Sequence, residues 1–271
     1  MAIIAQLSIV RIMELSNIAI LADSSEKAQD AKQVLIERYS FIEPELAPHK
    51  ASMVIALGGD GFMLHTMHRL IEYEVPIFGM NRGTIGFLLN KYRKLDLEER
   101  LKNTKTAILH PLQMKAICAD GREITQLAIN EVSLLREKAQ AAHIRVSVDG
   151  HVQIEQMVCD GVMVSTPAGS TAYNLSANGP VIPLNSNILA LTPISVFRPR
   201  RWRGALLPSN KVITFEILNP EKRPVSAVAD FHEIRDVKEV RVVEDTTRQI
   251  KLLFDEGSTL QDRIIKEQFV L

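Results

Sequence analysis

An apolar run that ends in a glycine-rich turn constrains the fold of this chain more than any other stretch. Met53–Leu57 has the length and composition of a buried parallel strand, and Gly58-Gly59-Asp60-Gly61 follows it directly. The residues Phe62–Tyr73 then have the pattern of a helix. The turn therefore joins the carboxyl end of a strand to the start of a helix. In open α/β sheets ligands bind at such points, where backbone N–H groups and the helix dipole favour an anion.

Asp60 is the unusual member of this turn, because a carboxylate beside a phosphate-binding backbone is repulsive unless it has a task. It could hold a metal ion, accept a proton, or cap the following helix, as aspartate often does. The local sequence leaves the capping and catalytic interpretations open. Glycines at 58, 59 and 61 allow the backbone to approach a phosphate without an intervening Cβ.

The first hundred residues alternate between strand and helix patterns. A candidate strand at Asn17–Ala22 precedes a helix at Glu26–Tyr39, which begins after aspartate and serine residues that suit an N-cap. A strand at Val75–Gly79 ends in a second glycine-rich turn around Gly83, and a helix at Leu95–Leu101 closes this half. Two such turns at strand ends suggest a shared crevice in one α/β unit, although the second could merely bend the chain.

From Leu112 onward the pattern changes to strand-like alternation. Two Asp-Gly pairs, Asp120-Gly121 and Asp149-Gly150, lie between alternating runs and predict tight hairpin turns. The best helix candidate in this half is Ser170–Ala177. The remaining strand-like runs are Val158–Ser165, Lys211–Leu218, Val225–Ala229, Glu239–Val243 and Gln249–Phe254. The second half is therefore predicted to be mostly antiparallel β structure.

The change of pattern predicts the domain bounds. We place an α/β domain at residues 1–108, a β-rich domain at 109–256 and a tail at 257–271 that packs back on the first domain. A chain of 271 residues can give each domain its own core. The apolar opening, Ala2–Val10, is too short for a membrane span and lacks the basic flank of a secretion signal. Patterned sequence begins only near Asn17, which leaves Met13 as an alternative start.

Charge and cysteine content exclude several classes of protein. The formal net charge is zero, with 32 basic and 32 acidic residues, so we expect no broad basic surface for nucleic acid. The two cysteines, Cys118 and Cys159, have neither a metal-ligand spacing nor the pattern of a disulfide framework, which is typical of a reducing cytosol. We therefore expect a cytoplasmic globular protein without nucleic-acid or membrane partners.

The densest polar cluster of the β half lies between Asp160 and Asn174. Its hydroxyl groups suit the ribose or amide groups of a polar ligand, or else an ordinary helix cap. Ser170 is not a convincing hydrolase nucleophile, because a Gly-x-Ser-x-Gly elbow is absent from the sequence. The pair Asn130-Glu131 interrupts a strand pattern, and it gains significance if it faces the same crevice.

Two other polar groups have weaker implications. His65, His68 and Glu72 would share one helix face, where solvated or substrate-adjacent histidines are favoured over a zinc site. The run Arg198–Arg203 mixes arginines with Trp202, and in a neutral chain it favours a loop near a substrate phosphate or a subunit contact over nucleic-acid binding.

Four motifs in this order resemble those of the ATP-dependent NAD kinases of bacterial type. They are Gly58-Gly59-Asp60-Gly61, Asn81-x-Gly83-Thr84-Ile85-Gly86-Phe87-Leu88, Asn130-Glu131, and the block from Asp160-Gly161 through Ser165-Thr166-Pro167 to Asn174. The first motif is also similar to one in diacylglycerol kinases, sphingosine kinases and phosphofructokinases, whereas the last block is specific. The resemblance implies an N-terminal Rossmann-like α/β domain and a C-terminal antiparallel β-rich, sandwich-like domain. It also implies NAD binding in the cleft between them and assembly as a homodimer or homotetramer.

The resemblance further implies a reaction and its site residues. The γ-phosphate of ATP is transferred to the 2′-hydroxyl of the adenosine ribose of NAD to produce NADP, with a divalent ion, Mg²⁺, bound to ATP rather than to protein side chains. Asp60 resembles the base that accepts the hydroxyl proton, a role that typically contributes about 10²–10⁴-fold. The implied NAD contacts, with Asp160 and Ala168 toward the nicotinamide, are Asp60, Gly61, His65, Asn130, Glu131, Asp160, Ala168, Thr171, Ala172, Tyr173, Asn174, Leu175 and Ser176. The implied ATP phosphate contacts are Gly58, Gly59 and Gly61.

The chain departs from the family pattern at two positions. Val158 stands where family members often have arginine, and Phe231 stands where glycine usually follows the C-terminal aspartate, here Asp230. Both departures concern contacts with the NAD phosphates and at a subunit boundary rather than the reaction. A lipid or sugar kinase that shares only the first motif would leave Asn130-Glu131 unexplained, and a non-catalytic NAD-binding regulator would not need Asp60.

Overall fold

The structure, a computed structural model, describes residues 17–84, 86–184 and 186–257. Within these residues the chain divides into two compact units. The first unit runs to Ala107 and takes in the segment from Lys251 onward, and the second spans Ile108–Ile250. The domain bounds expected from the sequence remain a prediction. Met13 and residues 258–271 of the expected tail lie outside the described residues.

A seven-stranded sheet forms the centre of the first unit. Its strands are β1 (Ile18–Ala22), β2 (Ile42–Glu43), β3 (Met53–Gly58), β4 (Ile77–Asn81), β5 (Asn90–Lys91), β6 (Lys105–Leu109) and β19 (Ile250–Phe254). Their order is β2-β1-β3-β4-β19-β6, with β5 also paired to β4. The pairs that link β1 to β2 and β3, and β4 to β3, β5 and β19, are parallel. The apolar run that opened the sequence is β3, and every residue of it is buried, as a central parallel strand requires.

Three helices accompany this sheet, and they are α1 (Glu26–Arg38), α2 (Asp60–Leu70) and α3 (Leu97–Lys102), with 3₁₀ turns at Pro48–Lys50 and Ile71–Tyr73. The start of α1 is as predicted, since the Ser25 hydroxyl accepts a hydrogen bond from the N–H of Ala28 at 3.4 Å. This helix ends one residue before its predicted end, because Tyr39 has extended backbone. Its buried residues Ala28, Ala31 and Leu35 join a core that includes residues of β1 and β3.

Element starts in the first unit differ from the predictions for local reasons. The helix predicted from Phe62 is α2, which begins at Asp60 because Gly59 is its N-cap. The strand predicted at Val75–Gly79 is β4, and it begins after Pro76, which has no N–H for the sheet. The helix predicted from Leu95 is α3, which begins at Leu97 because Asp96 has left-handed backbone with φ of 57°.

The second unit is a sandwich of two six-stranded antiparallel sheets, which confirms the predicted fold class. One sheet has the order β11-β10-β15-β18-β7-β8 and the other has the order β14-β13-β12-β9-β16-β17. Inward side chains of both sheets, such as Phe215 and Leu134, share one hydrophobic core. The strands are β7 (Leu112–Cys118), β8 (Glu123–Ala128), β9 (Glu131–Arg136), β10 (Ala142–Val148), β11 (His151–Cys159), β12 (Gly161–Ser165), β13 (Ile188–Ile194), β14 (Ala205–Pro208), β15 (Ile213–Ile217), β16 (Val225–Ala229), β17 (His232–Ile234) and β18 (Val237–Glu244).

Both Asp-Gly pairs form the predicted hairpin turns, one between β7 and β8 and the other between β10 and β11. In the second turn Asp149 and Gly150 have φ of 49° and 79°, as a type I′ turn requires. The carboxylate of Asp149 also accepts hydrogen bonds from the N–H of Val212 at 3.0 Å and from Lys211 at 2.7 Å. The Asp-Gly residues of the turns therefore determine where these hairpins form.

Three elements predicted from the sequence differ from the structure in their length or in the strand with which they pair. The run Val158–Ser165 is not one strand, because the chain leaves one sheet at the end of β11 and enters the other sheet at the start of β12. The run Gln249–Phe254 is β19, which pairs in parallel with β4 rather than with the antiparallel strands. The helix predicted at Ser170–Ala177 is a 3₁₀ turn (Ala168–Thr171) followed by a short helix, α4 (Tyr173–Ser176), because Ala172 has non-helical backbone. None of the helices in the described ranges is long and apolar enough to cross a membrane.

Candidate active site

The two glycine-rich turns of the first unit pack backbone against backbone. The N–H of Arg82 donates to the carbonyl of Gly58 at 2.8 Å, as β3 and β4 end side by side. A Cβ at Gly83 would lie 3.1 Å from the Cα of Gly59, so the absence of a side chain permits this close approach. Main-chain atoms of the two turns are thus in direct contact at neighbouring strand ends, and the shared crevice remains a prediction.

Asp60 links these turns through its side chain. One carboxylate oxygen accepts a hydrogen bond from the N–H of Phe87 and the other accepts one from the N–H of Leu88, both at 2.8 Å. Asp60 is the first residue of α2 rather than its N-cap, and its bonds run to a different segment. The capping interpretation is therefore wrong. Each oxygen keeps a second lone pair that can accept a proton or a further hydrogen bond.

Asn130 lies on the bend between β8 and β9, and Glu131 is the first residue of β9. Asp230 holds the backbone of both residues. Asp230 follows β16 with left-handed backbone, φ of 52°, and its carboxylate accepts hydrogen bonds from three consecutive N–H groups. The distances are 2.7 Å to Ile129, 2.9 Å to Asn130 and 3.2 Å to Glu131. An aspartate 100 residues away in sequence thus holds the backbone of both candidate residues in place.

The opposite side of the same bend is held by the hydroxyl-rich loop after β12. The carbonyl of Asn130 accepts a hydrogen bond from the N–H of Thr166 at 2.9 Å, and the Thr166 hydroxyl donates to the carbonyl of Ile129 at 2.8 Å. A Cβ at Gly169 would lie 2.1 Å from the carbonyl oxygen of Asn130, so only glycine fits there. The structure therefore brings the second-unit candidate motifs together in one place.

Glu131 has an unusual electrostatic environment at this bend. Its Oε2 atom is buried, and no donor among the described residues reaches it. Burial, and secondarily the nearby charge of Asp230, raise the pKa of Glu131 to about 8. Both effects favour the protonated form of this carboxyl group.

The candidates after Gly169 divide into buried and exposed residues. Asn174 is fully buried, its amide nitrogen donates to the carbonyls of Ser170 and Pro180, and its Oδ1 accepts from the Thr192 hydroxyl at 2.6 Å. A contact between Asn174 and a ligand would therefore involve its main chain. The exposed candidates are Tyr173, Leu175 and Ser176, and the half-buried ones are Thr171 and Ala172.

Asp160 and Ala168 lie at opposite ends of β12. The Asp160 carboxylate pairs with Arg136 at 2.6 Å, a partner that no local pattern in the sequence indicated. Ala168 lines a cavity of about 290 Å³ within the second unit, together with His110, Thr166 and Glu244. This cavity is large enough for part of a small ligand.

The remaining candidates of the first unit are exposed on α2. His65 and Gly61 are both accessible, and a Cβ at Gly61 would meet no described atom within 4 Å. Within residues 17–84, 86–184 and 186–257, no group of three or more histidine, cysteine, aspartate or glutamate side chains is arranged to hold a metal ion.

Comparison with known proteins places this geometry in a family. The family model described as the ATP-NAD kinase N-terminal domain matches residues 2–106, and the model of the ATP-NAD kinase C-terminal domain matches residues 129–252. A protein of Caulobacter vibrioides named NAD kinase is 51% identical over 254 residues, which cover 94% of this chain and 96% of that protein. The chain belongs to the ATP-NAD kinase family. A second NAD kinase, from Zymomonas mobilis, is 48% identical over 96% of this chain and its own full length.

Solved structures support the NAD kinase fold. A yeast NADH kinase complexed with NADH superimposes with a TM-score of 0.79 over 94% of this chain and 87% of that chain. An Archaeoglobus fulgidus NAD kinase in complex with ATP gives a TM-score of 0.73 over 93% and 98%. Their sequence identities are 21% and 22%, so these two likenesses concern the fold.

The two departures from the NAD kinase pattern have visible surroundings. Val158 is joined to the arginine-rich loop, since its N–H donates to the carbonyl of Arg198 at 2.9 Å. Phe231 is exposed at the β16–β17 turn and its ring lies 4.4 Å from that of His232. In this chain Asp230, directly before Phe231, accepts hydrogen bonds from three N–H groups.

Proposed function

We infer that this protein is an NAD kinase that transfers the γ-phosphate of ATP to the 2′-hydroxyl of the adenosine ribose of NAD. The observation that carries this inference is about 50% identity to proteins named NAD kinase over nearly the whole chain. The glycine-rich turn around Asp60 and the bend at Asn130-Glu131 supply the chemical groups that such a reaction needs.

We propose that Asp60 is the general base. A bond forms between the ribose 2′-oxygen and the γ-phosphorus, the bond from that phosphorus to the β–γ bridging oxygen breaks, and ADP leaves. The hydroxyl proton passes to a carboxylate oxygen of Asp60. The two N–H groups of Phe87 and Leu88 support this role, because they fix the direction of the carboxylate while leaving lone pairs for the substrate.

We propose that the glycine N–H groups at 58, 59 and 61 contact ATP phosphates, and that Gly61 and His65 contact NAD. A helix start that follows glycines favours anions, and α2 begins at Asp60. The Mg²⁺ of the reaction would be held mainly by phosphate oxygens, in keeping with its preference for few protein ligands. Such an ion neutralises charge that develops on the transferred phosphoryl group.

The second unit is proposed to bind the rest of NAD. The side chains of Asn130 and Glu131 make no hydrogen bond that competes with a ligand among the described contacts, and Thr171–Ser176 offer hydroxyl, aromatic and main-chain groups. Asp160 and Ala168 are proposed to lie toward the nicotinamide. We further propose that the protein acts in the cytoplasm and assembles as a homodimer or homotetramer. Sedimentation would measure the size of the assembly.

Replacement of Tyr173 by alanine is expected to weaken NAD binding about tenfold or more, because a stacked or packed aromatic ring contributes roughly 1–3 kcal/mol to nucleotide binding. The Tyr173 side chain is available for this, with 38% of the residue exposed. Calorimetry with NAD measures the effect. Tyr73→Ala, which removes a tyrosine that is also exposed but packs on His49, is the matched control. An unaltered Kd in Tyr173→Ala would remove this contact from the proposal.

The overall proposal is tested by incubating purified protein with NAD, ATP and Mg²⁺ and measuring NADP. Formation of NADP and ADP in equal amounts is the expected result. A parallel incubation replaces NAD by a diacylglycerol or a hexose. Phosphorylation of either compound, without formation of NADP, would favour the lipid or sugar kinase interpretation instead. Binding of NAD without turnover would favour a regulator.

A further inference from the structure

The surroundings of Glu131 determine which form of its carboxyl group the site can hold. Glu131 is the first residue of β9, opposite Ser165 of β12, and its carbonyl accepts a hydrogen bond from the N–H of Asp230 at 3.1 Å. Its Oε2 is buried without a donor in the described part of the chain. An ionised carboxylate in such a place would have one oxygen, Oε2, without a hydrogen bond to offset its loss of water.

Asp230 further disfavours the ionised form of Glu131. Its two oxygens accept the N–H groups of Ile129, Asn130 and Glu131, an arrangement that stabilises negative charge on Asp230 itself. When two carboxyl groups lie close together and hydrogen-bond donors reach only one of them, the ionised form of the other is disfavoured. The donors belong to Asp230, so the proton resides on Glu131. The other strand beside Glu131 presents only uncharged residues at this point, Ser165 followed by Thr166. Besides Asp230, the β16–β17 hairpin carries two further titratable groups, His232 and Glu233, and the Glu233 carboxylate is paired with Arg235 at 3.0 Å.

We propose that Glu131 binds NAD as a neutral carboxylic acid that donates a hydrogen bond to an acceptor atom of the adenosine, and that Asp230 is the positioning residue that maintains this state. This proposal rests on the proposed function, since it concerns how the same site binds NAD. A neutral donor selects for a nitrogen or oxygen acceptor on the nucleoside, whereas an ionised carboxylate would select for hydroxyl or amino groups.

Protonation of Glu131 determines how the affinity for NAD changes with pH. The pKa of Glu131 in the free protein is about 8, and NAD binds only the protonated form, so binding holds the proton in place. Affinity is full below that pKa and is lost as the pH rises through it. From pH 7 to pH 9 the protonated fraction falls about tenfold, and the Kd for NAD is expected to rise by about the same factor.

Calorimetric titration of the full chain with NAD at pH 7, 8 and 9 tests the proposal. Glu131→Gln is the decisive variant, because its amide donates a hydrogen bond but cannot ionise. Its Kd is expected to change less than about twofold over this range. Asp230→Asn is expected to move the midpoint of the pH dependence below pH 8, since it removes the negative charge beside Glu131. A merely structural role for Asp230 would lower affinity without moving this midpoint.

His232→Asn tests whether the histidine of the hairpin causes the effect, and it is expected to retain the wild-type pH dependence. A Kd that is constant or falls from pH 7 to pH 9, or a Glu131→Gln variant with the wild-type pH dependence, would overturn the proposal. If Asp230→Asn does not fold, Glu131→Gln decides alone. Formation of NADP at pH 7 without the pH-dependent Kd would refute this inference while leaving the proposed function intact. Absence of NAD binding at pH 7 would refute both.

Discussion

Asp60→Asn is expected to lower turnover at least about 100-fold, because an amide cannot accept the proton of the ribose hydroxyl as the phosphoryl group is transferred. The Kd for NAD is expected to change far less, since the variant keeps the size and place of the side chain. Steady-state assays of NADP formation and calorimetry with NAD separate the two quantities. Turnover within a few-fold of wild type would remove Asp60 from the mechanism.

The structure adds a second expected effect of the same substitution. Both Asp60 oxygens accept main-chain N–H groups, and an asparagine can replace only one of these acceptors. The segment at Phe87 and Leu88 should therefore lose one hydrogen bond, at a cost of about 1–3 kcal/mol in stability. Asp149→Asn is the matched control, because Asp149 also accepts a backbone N–H at a turn but belongs to no proposed site. It is expected to affect stability without affecting turnover.

Arg100→Met is expected to lower the free energy of unfolding by about 3–5 kcal/mol, since it leaves a buried carboxylate without its main partner. The Arg100 side chain is 7% exposed and pairs with both oxygens of Asp255 at 2.9 Å. Its remaining donors reach the carbonyls of Lys91 and Arg93, each at 3.1 Å. One guanidinium thus joins α3, β5 and the end of β19, and urea-induced unfolding measures its contribution.

Two further variants test whether the stability lost in Arg100→Met is due to the unpaired charge. Lys102→Ala removes the exposed ion pair with Glu98 on the same helix and is expected to cost less than about 1 kcal/mol. Replacing both buried partners, as Arg100→Met with Asp255→Leu, is expected to recover part of the stability lost in Arg100→Met, because no uncompensated charge then remains. A double variant that is less stable than Arg100→Met would contradict a charge-based explanation.

Local signals predicted those parts of the fold whose causes are local. The buried run of β3, the capped start of α1 and the two Asp-Gly hairpins all follow from neighbouring residues. The run Val158–Ser165 was misjudged because its alternation gives no sign that Asp160 separates two sheets. The strand at Ile250–Phe254 was assigned to the wrong sheet because strand partners are chosen by tertiary packing, which a periodicity does not encode.

In the candidate site, too, local sequence signals indicate some features and long-range contacts determine the others. Sequence motifs indicated Asp60 and the Asn130-Glu131 pair, and the structure supplies the contacts that give them their chemistry. The N–H groups that bind Asp60 lie 27 and 28 residues further along the chain, and those that bind Asp230 lie 99 to 101 residues before it. The burial of the Glu131 Oε2 atom, which raises the pKa of that carboxyl group, depends on that long-range arrangement.

The position of β19 has a consequence for how the chain folds during synthesis. This strand is made last among the described elements, yet it lies between β4 and β6 in the first sheet. While the ribosome is still translating the sandwich, β6 and the part of β4 that β5 does not cover therefore have exposed, unsatisfied edges. The sheet can close only after residue 254 has emerged, so vectorial folding of the amino-terminal region stays incomplete until then. A fragment that stops at residue 106, where the first family model ends, lacks this strand and is expected to aggregate rather than fold alone.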